Sequence, residues 1–244
     1  MTFRRLAPAG GEAAAHDLLA EVRPHDRAPG DRPFVFANFV ATVDGRAAVA
    51  GRTEQLGEEA DLEMLLELRV LADAVLIGSG TLRAEGYARL IGSDERRAHR
   101  EAQGLAGDPL AVLISRGLDL PWEAGLFADP EQPVLIYTGV DREGPEVAAQ
   151  VEVVRIEGPS PAAALADIRR RGIRALLCEG GPHMLGSLIA DGLLDELFLT
   201  LAPMLTGEHE APRIVEGGDL PELTRARLLW VLRSGEELFL RYGL

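Results

Sequence analysis

The sequence contains no lysine, and all 25 basic residues of the 244-residue chain are arginine. This absence excludes a Walker A phosphate loop, which needs a lysine. It also excludes a lysine Schiff base, and with it the usual pyridoxal-phosphate enzymes. Any cation that binds a ligand is therefore an arginine, a histidine or the N-terminus.

Cysteine is nearly absent as well. A single residue, Cys178, leaves no internal disulfide and no multi-cysteine metal site. It lies in the apolar segment LLC, which favours a buried, inert thiol over a nucleophile. The five histidines are scattered without paired spacing, so we expect no metal.

Long apolar runs and a positive net charge are also missing. No apolar stretch approaches the roughly 20 residues of a membrane span, and no N-terminal signal pattern is present, so we expect a cytoplasmic protein. The net charge of −14 disfavours nucleic acid and anionic membranes as partners. An anionic small molecule remains compatible, because local arginines and helix N-termini can outweigh the global field.

Apolar strands alternate with helical stretches along most of the chain. Strands are predicted at residues 34–43, 74–77, 110–115, 134–138, 174–178 and 196–201, helices at 58–71, 161–171 and 182–191, and an antiparallel pair at 226–232 and 237–242. This order predicts an α/β fold with a mixed, mostly parallel sheet flanked by helices and a C-terminal antiparallel hairpin. Residues 10–22 are predicted as a helix, followed by a polar linker. We therefore expect an N-terminal extension over 1–32 and one domain over 33–244.

The segment LLCEGGPHMLG carries the strongest functional signal. An apolar strand leads to Glu179 and two glycines, and Pro182 then opens a helix in its preferred first position. Such a turn brings backbone N–H groups and a helix N-terminus together, which attracts a phosphate. His183 is the one histidine in a suggestive place, in the first turn of that helix. Glycines that serve packing alone are the alternative.

Two further glycine-bearing turns follow predicted strands. IGSGT holds Gly78, Gly80 and Thr81, and SRG holds Ser115 and Arg116. In parallel sheets ligands gather at the carboxyl ends of strands, where such turns lie. A hydroxyl beside a guanidinium suits the 2′-phosphate that distinguishes NADPH from NADH, and a solvent-facing turn arginine is the alternative. None of these turns is the dinucleotide fingerprint of the usual Rossmann fold.

Polar side chains also interrupt two apolar segments. Asn38, Thr42 and Asp44 alternate in NFVATVDG and so share one face. Leaving them buried and unpaired costs about 1–3 kcal/mol each, so they line a pocket or find partners, unless Asp44 belongs to a plain turn. Arg69 lies on the apolar helix at 58–71. It either points inward toward an anionic substrate or pairs outward with Glu63 or Glu67.

Taken in order, the segments NFVATVDGRAAVAG, ELRVLADAVLIGSGTLRAEGY, ISRG and CEGGPHMLGSLIADGLLDELFLTLAPMLTG resemble the riboflavin-biosynthesis pyrimidine reductase family. This family comprises the C-terminal domain of a bifunctional deaminase/reductase and stand-alone reductases with a dihydrofolate-reductase-like fold. The resemblance covers residues 33–244, which are then the reductase domain. It implies NADPH-dependent reduction of 5-amino-6-ribosylamino-uracil 5′-phosphate, with ring opening of the ribosyl group and hydride delivery to C1′. It also implies a homodimer, for which the apolar segment 193–205 is a candidate contact.

The resemblance and the turns together give a set of candidate site residues. The predicted cofactor contacts are Ala41, Gly78, Gly80, Thr81, Glu85, Ser115, Arg116, Gly180, Gly181, Pro182, His183, Met184, Leu185, Gly186 and Ser187. The predicted substrate contacts are Asn38, Thr53, Arg69 and Glu179. Glu179 and Asp44 are the candidate catalytic residues.

The sequence departs from the family pattern after Thr81. Where the family has an Asp-Asp-Pro element, this chain has Glu85, Gly86 and Tyr87, and residues 89–100 do not match. Because the predicted substrate-binding part of the site departs from the family, two alternative functions remain open. One is a reductase of dihydrofolate or a related pteridine or pyrimidine, and the other is a non-catalytic NADPH-binding protein. A zinc deaminase needs H-x-E and P-C-x-x-C, which a chain with one cysteine cannot supply.

Overall fold

In the computed structural model, residues 1–49, 51–53, 55–217, 220 and 223–244 are described. The strands are β1 (Phe3–Ala7), β2 (Glu12–Ala13), β3 (Phe34–Thr42), β4 (Ala74–Ile77), β5 (Leu110–Ile114), β6 (Pro133–Thr138), β7 (Gln150–Arg155), β8 (Ala175–Cys178), β9 (Glu196–Ala202), β10 (Arg227–Ser234) and β11 (Glu237–Gly243). The helices are α1 (Ala15–Leu19), α2 (Glu59–Leu71), α3 (Ser79–Glu85), α4 (Asp94–Ala102), α5 (Pro161–Arg170) and α6 (Pro182–Ala190), with 3₁₀ turns at Pro24–Arg27 and Gly125–Phe127.

The strands form one 11-stranded sheet in the order β2-β1-β10-β11-β9-β3-β8-β4-β5-β6-β7. β3 lies near the middle and runs parallel to both β8 and β9. From β8 to β7 every pairing is parallel, whereas β9, β11, β10, β1 and β2 pair antiparallel. The predicted mixed sheet with a C-terminal hairpin is confirmed.

Helices cover both faces of this sheet. Met64 and Leu68 of α2 belong to the core on one face, and Leu165 of α5 and Leu185 of α6 belong to the core on the other. Cys178 lies in this second core, where burial raises the pKa of its thiol to about 12. The prediction of a buried thiol is confirmed, and the raised pKa is consistent with the predicted low reactivity.

The first 32 residues pack onto the same sheet. β1 pairs with β10, and the ring of Phe3 meets that of Phe239 edge-on at 5.0 Å. Arg27 donates from Nη1 to Glu196 Oε1 at 2.7 Å, and both belong to a partly buried ion network. The predicted helix over 10–22 was wrong in extent, because β2 takes its first part and α1 has only five residues. A domain boundary at residue 33 stays a prediction.

Within the described ranges, no helix has the length and apolar character that a membrane crossing needs.

Candidate active site

A cavity of about 580 Å³ opens at the carboxyl ends of β3, β4 and β8. Its lining includes the backbone wall, which we define as Gly78, Gly80, Thr81, Gly181 and Pro182. It also includes the polar wall, which we define as Asn38, Asp61, Glu85, Tyr87 and Glu179. The cavity therefore lies where parallel sheets commonly bind ligands.

The backbone wall exists because two turns touch. The amide of Gly78 donates to the carbonyl of Gly180. A Cβ on Gly78 would lie 2.7 Å from the nitrogen of Gly181 and 2.8 Å from the oxygen of Gly180, so no side chain fits there. Glycines after β4 and β8 thus bring the two strand ends into contact, and the surface that results carries main-chain groups rather than side chains.

Helix α6 begins at this wall. Gly181 is its N-cap, and Pro182, His183 and Met184 of its first turn line the cavity. The N-terminus of a helix presents unpaired N–H groups and a partial positive charge, which suits the phosphates of a dinucleotide. The nine-residue helix therefore supplies an anion-attracting surface beside the glycine turn.

The polar wall is anchored by a charge pair between Arg69 and Glu179. Arg69 donates from Nε to Oε1 at 2.6 Å and from Nη2 to Oε2 at 2.7 Å. The hydroxyl of Tyr87 also donates to Oε2, at 2.6 Å. Only 13% of the Arg69 side chain and 3% of the Glu179 side chain is exposed, so water competes little for this pair. Burial together with the Glu179 charge raises the pKa of Tyr87 well above its ordinary value.

This pair decides between the two interpretations of Arg69. The side chain points inward, and its remaining nitrogen donates to the carbonyl of Leu90 at 3.0 Å. Glu63 and Glu67, the outward partners we considered, instead receive Arg96 at 2.7 and 3.0 Å. Arg69 holds Glu179 in place, and its predicted contact with the substrate stays a prediction.

Glu85 connects the polar wall to the segment that follows β3. Its Oε1 accepts a hydrogen bond from the amide of Thr53 at 3.0 Å, and both residues line the cavity. This contact holds Thr53 in the cavity lining, and its predicted contact with the substrate stays a prediction. One carboxylate oxygen of Glu85 is therefore bonded to the protein itself, so the residue does not present both oxygens to a cofactor.

Several predicted cofactor residues do not line the cavity. These are Ala41, Ser115, Arg116, Gly180, Leu185, Gly186 and Ser187. Leu185 is fully buried and packs in the core, and Gly186 faces the carbonyl of Glu216, where a Cβ would lie at 2.2 Å. Arg116 is exposed next to Ile114, which lies two residues earlier and lines the cavity. Its position suits the outer end of a long cofactor.

Asp44 lies outside the cavity lining. Its carboxylate accepts from the amides of Thr206 at 3.3 Å and Gly207 at 2.9 Å, and hydrogen bonds from Thr42 and Gly207 lower its pKa to about 2. The side chain therefore joins two loops. Nothing in this geometry supports the catalytic role that we predicted for Asp44.

Two residues of the polar wall were missed from the sequence. Tyr87 falls in the element that departs from the family pattern, so no motif marked it. Asp61 lies in the first turn of α2, where acidic residues are common because they favour the helix N-terminus. A local signal could not separate that ordinary role from a place in the cavity.

The arginines of the divergent segment stabilise the fold. Arg89 pairs with Asp108, and Arg97 donates to the carbonyl of Ile91 at 2.6 Å. Arg100 is fully buried and donates from Nη1 to the carbonyls of Arg69, Val70 and Ala72, which end helix α2. Burial lowers the pKa of Arg100 to about 10. None of these three arginines lines the cavity.

Comparison with known proteins agrees with this geometry. Residues 33–240 match the RibD C-terminal domain family. The 2,5-diamino-6-ribosylamino-4(3H)-pyrimidinone 5′-phosphate reductase of Archaeoglobus fulgidus is 30% identical over 213 residues, which cover 84% of this chain and 95% of that protein. The protein of the same name from Methanothermobacter thermautotrophicus is 30% identical over 223 residues, covering 86% and 98%.

Among solved structures, a pyrimidine reductase-like protein from Corynebacterium diphtheriae shares the fold. It superposes with a TM-score of 0.80 at 24% identity, covering 95% of this chain and 98% of that one. The resemblance deduced from the motifs is confirmed: the chain belongs to the RibD C-terminal domain family.

Proposed function

We propose that the chain is a reductase of riboflavin biosynthesis, which uses NADPH to reduce the ribosyl group of a ribosylamino-pyrimidine 5′-phosphate. One observation carries this proposal. The glycine turns after β4 and β8 meet, and with the start of α6 they line a cavity that is also lined by polar side chains, among them Tyr87 and Glu179. Main-chain groups for a dinucleotide thus share one cavity with polar groups for a second, small reactant. The names of the archaeal relatives agree with this pairing.

The residues present fit a nicotinamide dinucleotide. Gly78, Gly80 and Gly181 let a ligand approach the backbone, and Pro182 and His183 place the start of α6 beside it. The guanidinium of Arg116 is exposed and has no side-chain partner among the described residues, so it is available to a 2′-phosphate. This supports NADPH over NADH. When bound, the cofactor supplies a hydride from its reduced nicotinamide ring.

The polar wall positions the substrate for a balanced reaction. In the substrate the C1′–O4′ bond breaks, O4′ takes a proton, and the hydride forms the new C1′–H bond. Glu179 is held by three donated hydrogen bonds from Arg69 and Tyr87, so this part of the wall is fixed before the substrate arrives. A preorganised wall lowers the entropy cost of aligning C1′ with the hydride donor.

The direct test is NADPH oxidation, followed by absorbance, with a ribosylamino-pyrimidine 5′-phosphate as substrate. The proposal expects stoichiometric formation of the ribitylamino product. Absence of turnover at saturating substrate, with NADPH bound, would contradict it. No specific observation favours the dihydrofolate reductase or the non-catalytic binding protein.

We also infer a homodimer. Strand β9 lies between β11 and β3, so the segment 193–205 cannot pair with a second sheet through that strand. Its end is available for packing instead: Val43 and Leu205 are 63% and 75% exposed, and the amide of Val43 bonds to the carbonyl of Met204. Light scattering should give a dimer for the wild type, and Leu205→Asp should shift it toward the monomer. A monomeric wild type would contradict this contact.

A further inference from the structure

Asp61 is a partly buried carboxylate that lines the cavity, and one of its oxygens has no hydrogen-bond partner. Its Oδ1 is enclosed, and no described residue donates a hydrogen bond to it. The residue lines the cavity from the first turn of α2. A buried acceptor without a donor is unfavourable, so a ligand that brings N–H donors to the Asp61 carboxylate would stabilise this part of the cavity.

The other acids of the polar wall each accept at least one hydrogen bond from the protein. Glu179 accepts three hydrogen bonds from Arg69 and Tyr87, and Glu85 accepts the amide of Thr53. The described cavity lining contains no arginine. The carboxylate of Asp61, which also lines the cavity, therefore has no arginine partner there.

The position of Asp61 is fixed by packing. A Cβ on Gly57 would lie 2.1 Å from Asp61 Oδ2, so the carboxylate occupies space that any larger residue at position 57 would fill. Burial raises the pKa of Asp61, and a hydrogen bond from Thr200 opposes that shift only in part. The charged neighbour Glu237 is itself an acid whose pKa burial raises. No cation among these groups pairs with the carboxylate.

Asn38 is a second residue of the cavity with an acceptor oxygen that lacks a donor. Its Oδ1 is also enclosed without a donor among the described residues, and it lines the same cavity from β3. Two unpaired acceptors call for a ligand that carries several N–H donors. An amino group beside a ring N–H offers two parallel donors, which match the two oxygens of a carboxylate as a guanidinium does.

We propose that Asp61 is a specificity-determining residue that binds the C2–N3 edge of the substrate pyrimidine and selects a ring with an amino group at C2. This inference rests on the proposed function. In a 2-aminopyrimidin-4-one that edge carries the C2 amino group and N3–H, both donors. In a uracil the same edge carries a C2 carbonyl, whose oxygen would face the carboxylate. The enzyme then acts on the diamino ring rather than on the uracil compound that the family resemblance first suggested.

A place in the reaction sequence follows from this selection. The ribitylamino product keeps its C2 amino group, so a hydrolytic deamination at C2 must consume that product. The single cysteine excludes the zinc-deaminase motif from these 244 residues, so they do not supply a deamination of that kind.

The test compares two ribosylamino 5′-phosphates that differ only at C2, one amino and one oxo. With NADPH, the kcat/KM of the wild type is expected to be higher for the amino compound by on the order of 100-fold or more. A site that accepts a hydrogen bond from a substrate amino group rejects the analogue that lacks that group. Equal or better turnover of the oxo compound would overturn the inference.

Variants then assign the selection to one side chain. Asp61→Asn should reduce the kcat/KM preference for the amino compound to less than about tenfold. Gly57→Ala displaces the carboxylate without removing it and should also reduce this preference. Glu59→Gln changes an exposed carboxylate in the same helical turn and should keep the full preference. Asp61→Asn removes a buried charge without a cationic partner, so a melting temperature at or above that of the wild type is expected. An Asn variant that lowers both activities equally would overturn the assignment.

Binding of ring fragments separates this inference from the proposed function. Calorimetry of the NADP⁺-loaded enzyme should show tighter binding of 2,5,6-triaminopyrimidin-4-one than of 5,6-diaminouracil, and Asp61→Asn should remove the difference. If neither phosphate is turned over while this difference holds, the proposed function fails and the assignment of Asp61 stands. If the wild type binds both fragments equally, the assignment of Asp61 fails whatever the activity.

Discussion

The backbone wall and the polar wall are built by different means. Gly78 and Gly181 make their surface by lacking side chains, and their close approach depends on residues next to two strand ends. Arg69, Tyr87 and Glu179 make theirs from side chains that lie 18 to 110 positions apart in the chain yet converge within hydrogen-bond distance. A surface made of backbone suits a ligand common to many enzymes, and a surface made of side chains suits one particular substrate.

The largest effect is expected from breaking the charge pair of the polar wall. Arg69→Met leaves the buried Glu179 without a cationic partner and with only the Tyr87 hydroxyl as a donor, which should lower the free energy of unfolding by about 3–5 kcal/mol. Arg96→Met removes a similar pair from a more exposed place, and about 1 kcal/mol or less is expected there. Denaturant unfolding measures both.

The same Arg69 variant also tests which side of the cavity it serves. The KM for the substrate should rise more than the Kd for NADPH. An equal loss of stability in the Arg69 and Arg96 variants would contradict the structural role of the pair. A larger change in the Kd for NADPH than in the KM for the substrate would contradict the assignment of the polar wall to the substrate.

The backbone wall is tested by adding a side chain to it. A Cβ on Gly181 would lie 3.0 Å from Thr81 Oγ1, and the branches of valine would extend the obstruction into the cavity. Gly181→Val should weaken NADPH binding by on the order of 100-fold, about 2–3 kcal/mol, as measured by calorimetry. Gly92→Val places the same side chain where nothing lies within 4 Å of the new Cβ, and should bind normally. Unchanged affinity in the Gly181 variant would show that the cofactor does not approach this turn.

A smaller effect is expected at the outer end of the cofactor. Arg116→Ala should reduce the preference for NADPH over NADH by about tenfold, because one charged partner of the 2′-phosphate is lost. Arg155→Ala removes an exposed arginine from β7, the edge strand of the same sheet, and serves as the matched control. If the Arg116 variant lost the same factor of affinity for NADPH and for NADH, Arg116 would not contact the 2′-phosphate.

The smallest effect is expected at Asp44. Because its folded-state pKa is lowered to about 2, its carboxylate contributes stability above the ordinary carboxyl pKa and loses it as pH falls toward 2. Asp44→Asn should therefore have a slightly lower melting temperature than the wild type at neutral pH, and this difference should disappear as the pH falls toward 2. Steady-state kinetics should give a kcat within about twofold of the wild type, because a loop anchor outside the cavity is a surface change. A much larger loss of kcat would restore the catalytic role.

The backbone wall was largely predictable from the sequence, and the polar wall was not. Gly78, Gly181 and Pro182 stand next to apolar strands, so local rules for turns and helix starts identify them. Asp61 resembles any acid in a first helical turn, and only the packing of α2 against the sheet shows that it faces a cavity. The inward pairing of Arg69 likewise required knowing where Glu179 lies.

The sheet shows the same division between local and long-range information. The buried strands β3 to β6 and β8 are continuous apolar runs in the sequence, and helices α2, α5 and α6 and the C-terminal hairpin follow known periodicities. Strand β7 was missed, because QVEVVR alternates charged and apolar residues at a sheet edge. Strand β1 was missed because it pairs with β10, more than 200 residues away in the chain. Such pairing depends on the completed sheet rather than on nearby residues.

The most direct test of the two-wall account is a crystal structure of the enzyme with NADPH bound. The account predicts the pyrophosphate beside the backbone of Gly181 and His183, with the nicotinamide ring in the cavity and turned toward Asp61 and Glu179. NADPH bound away from residues 78–81 and 180–187, or not bound at all, would contradict it.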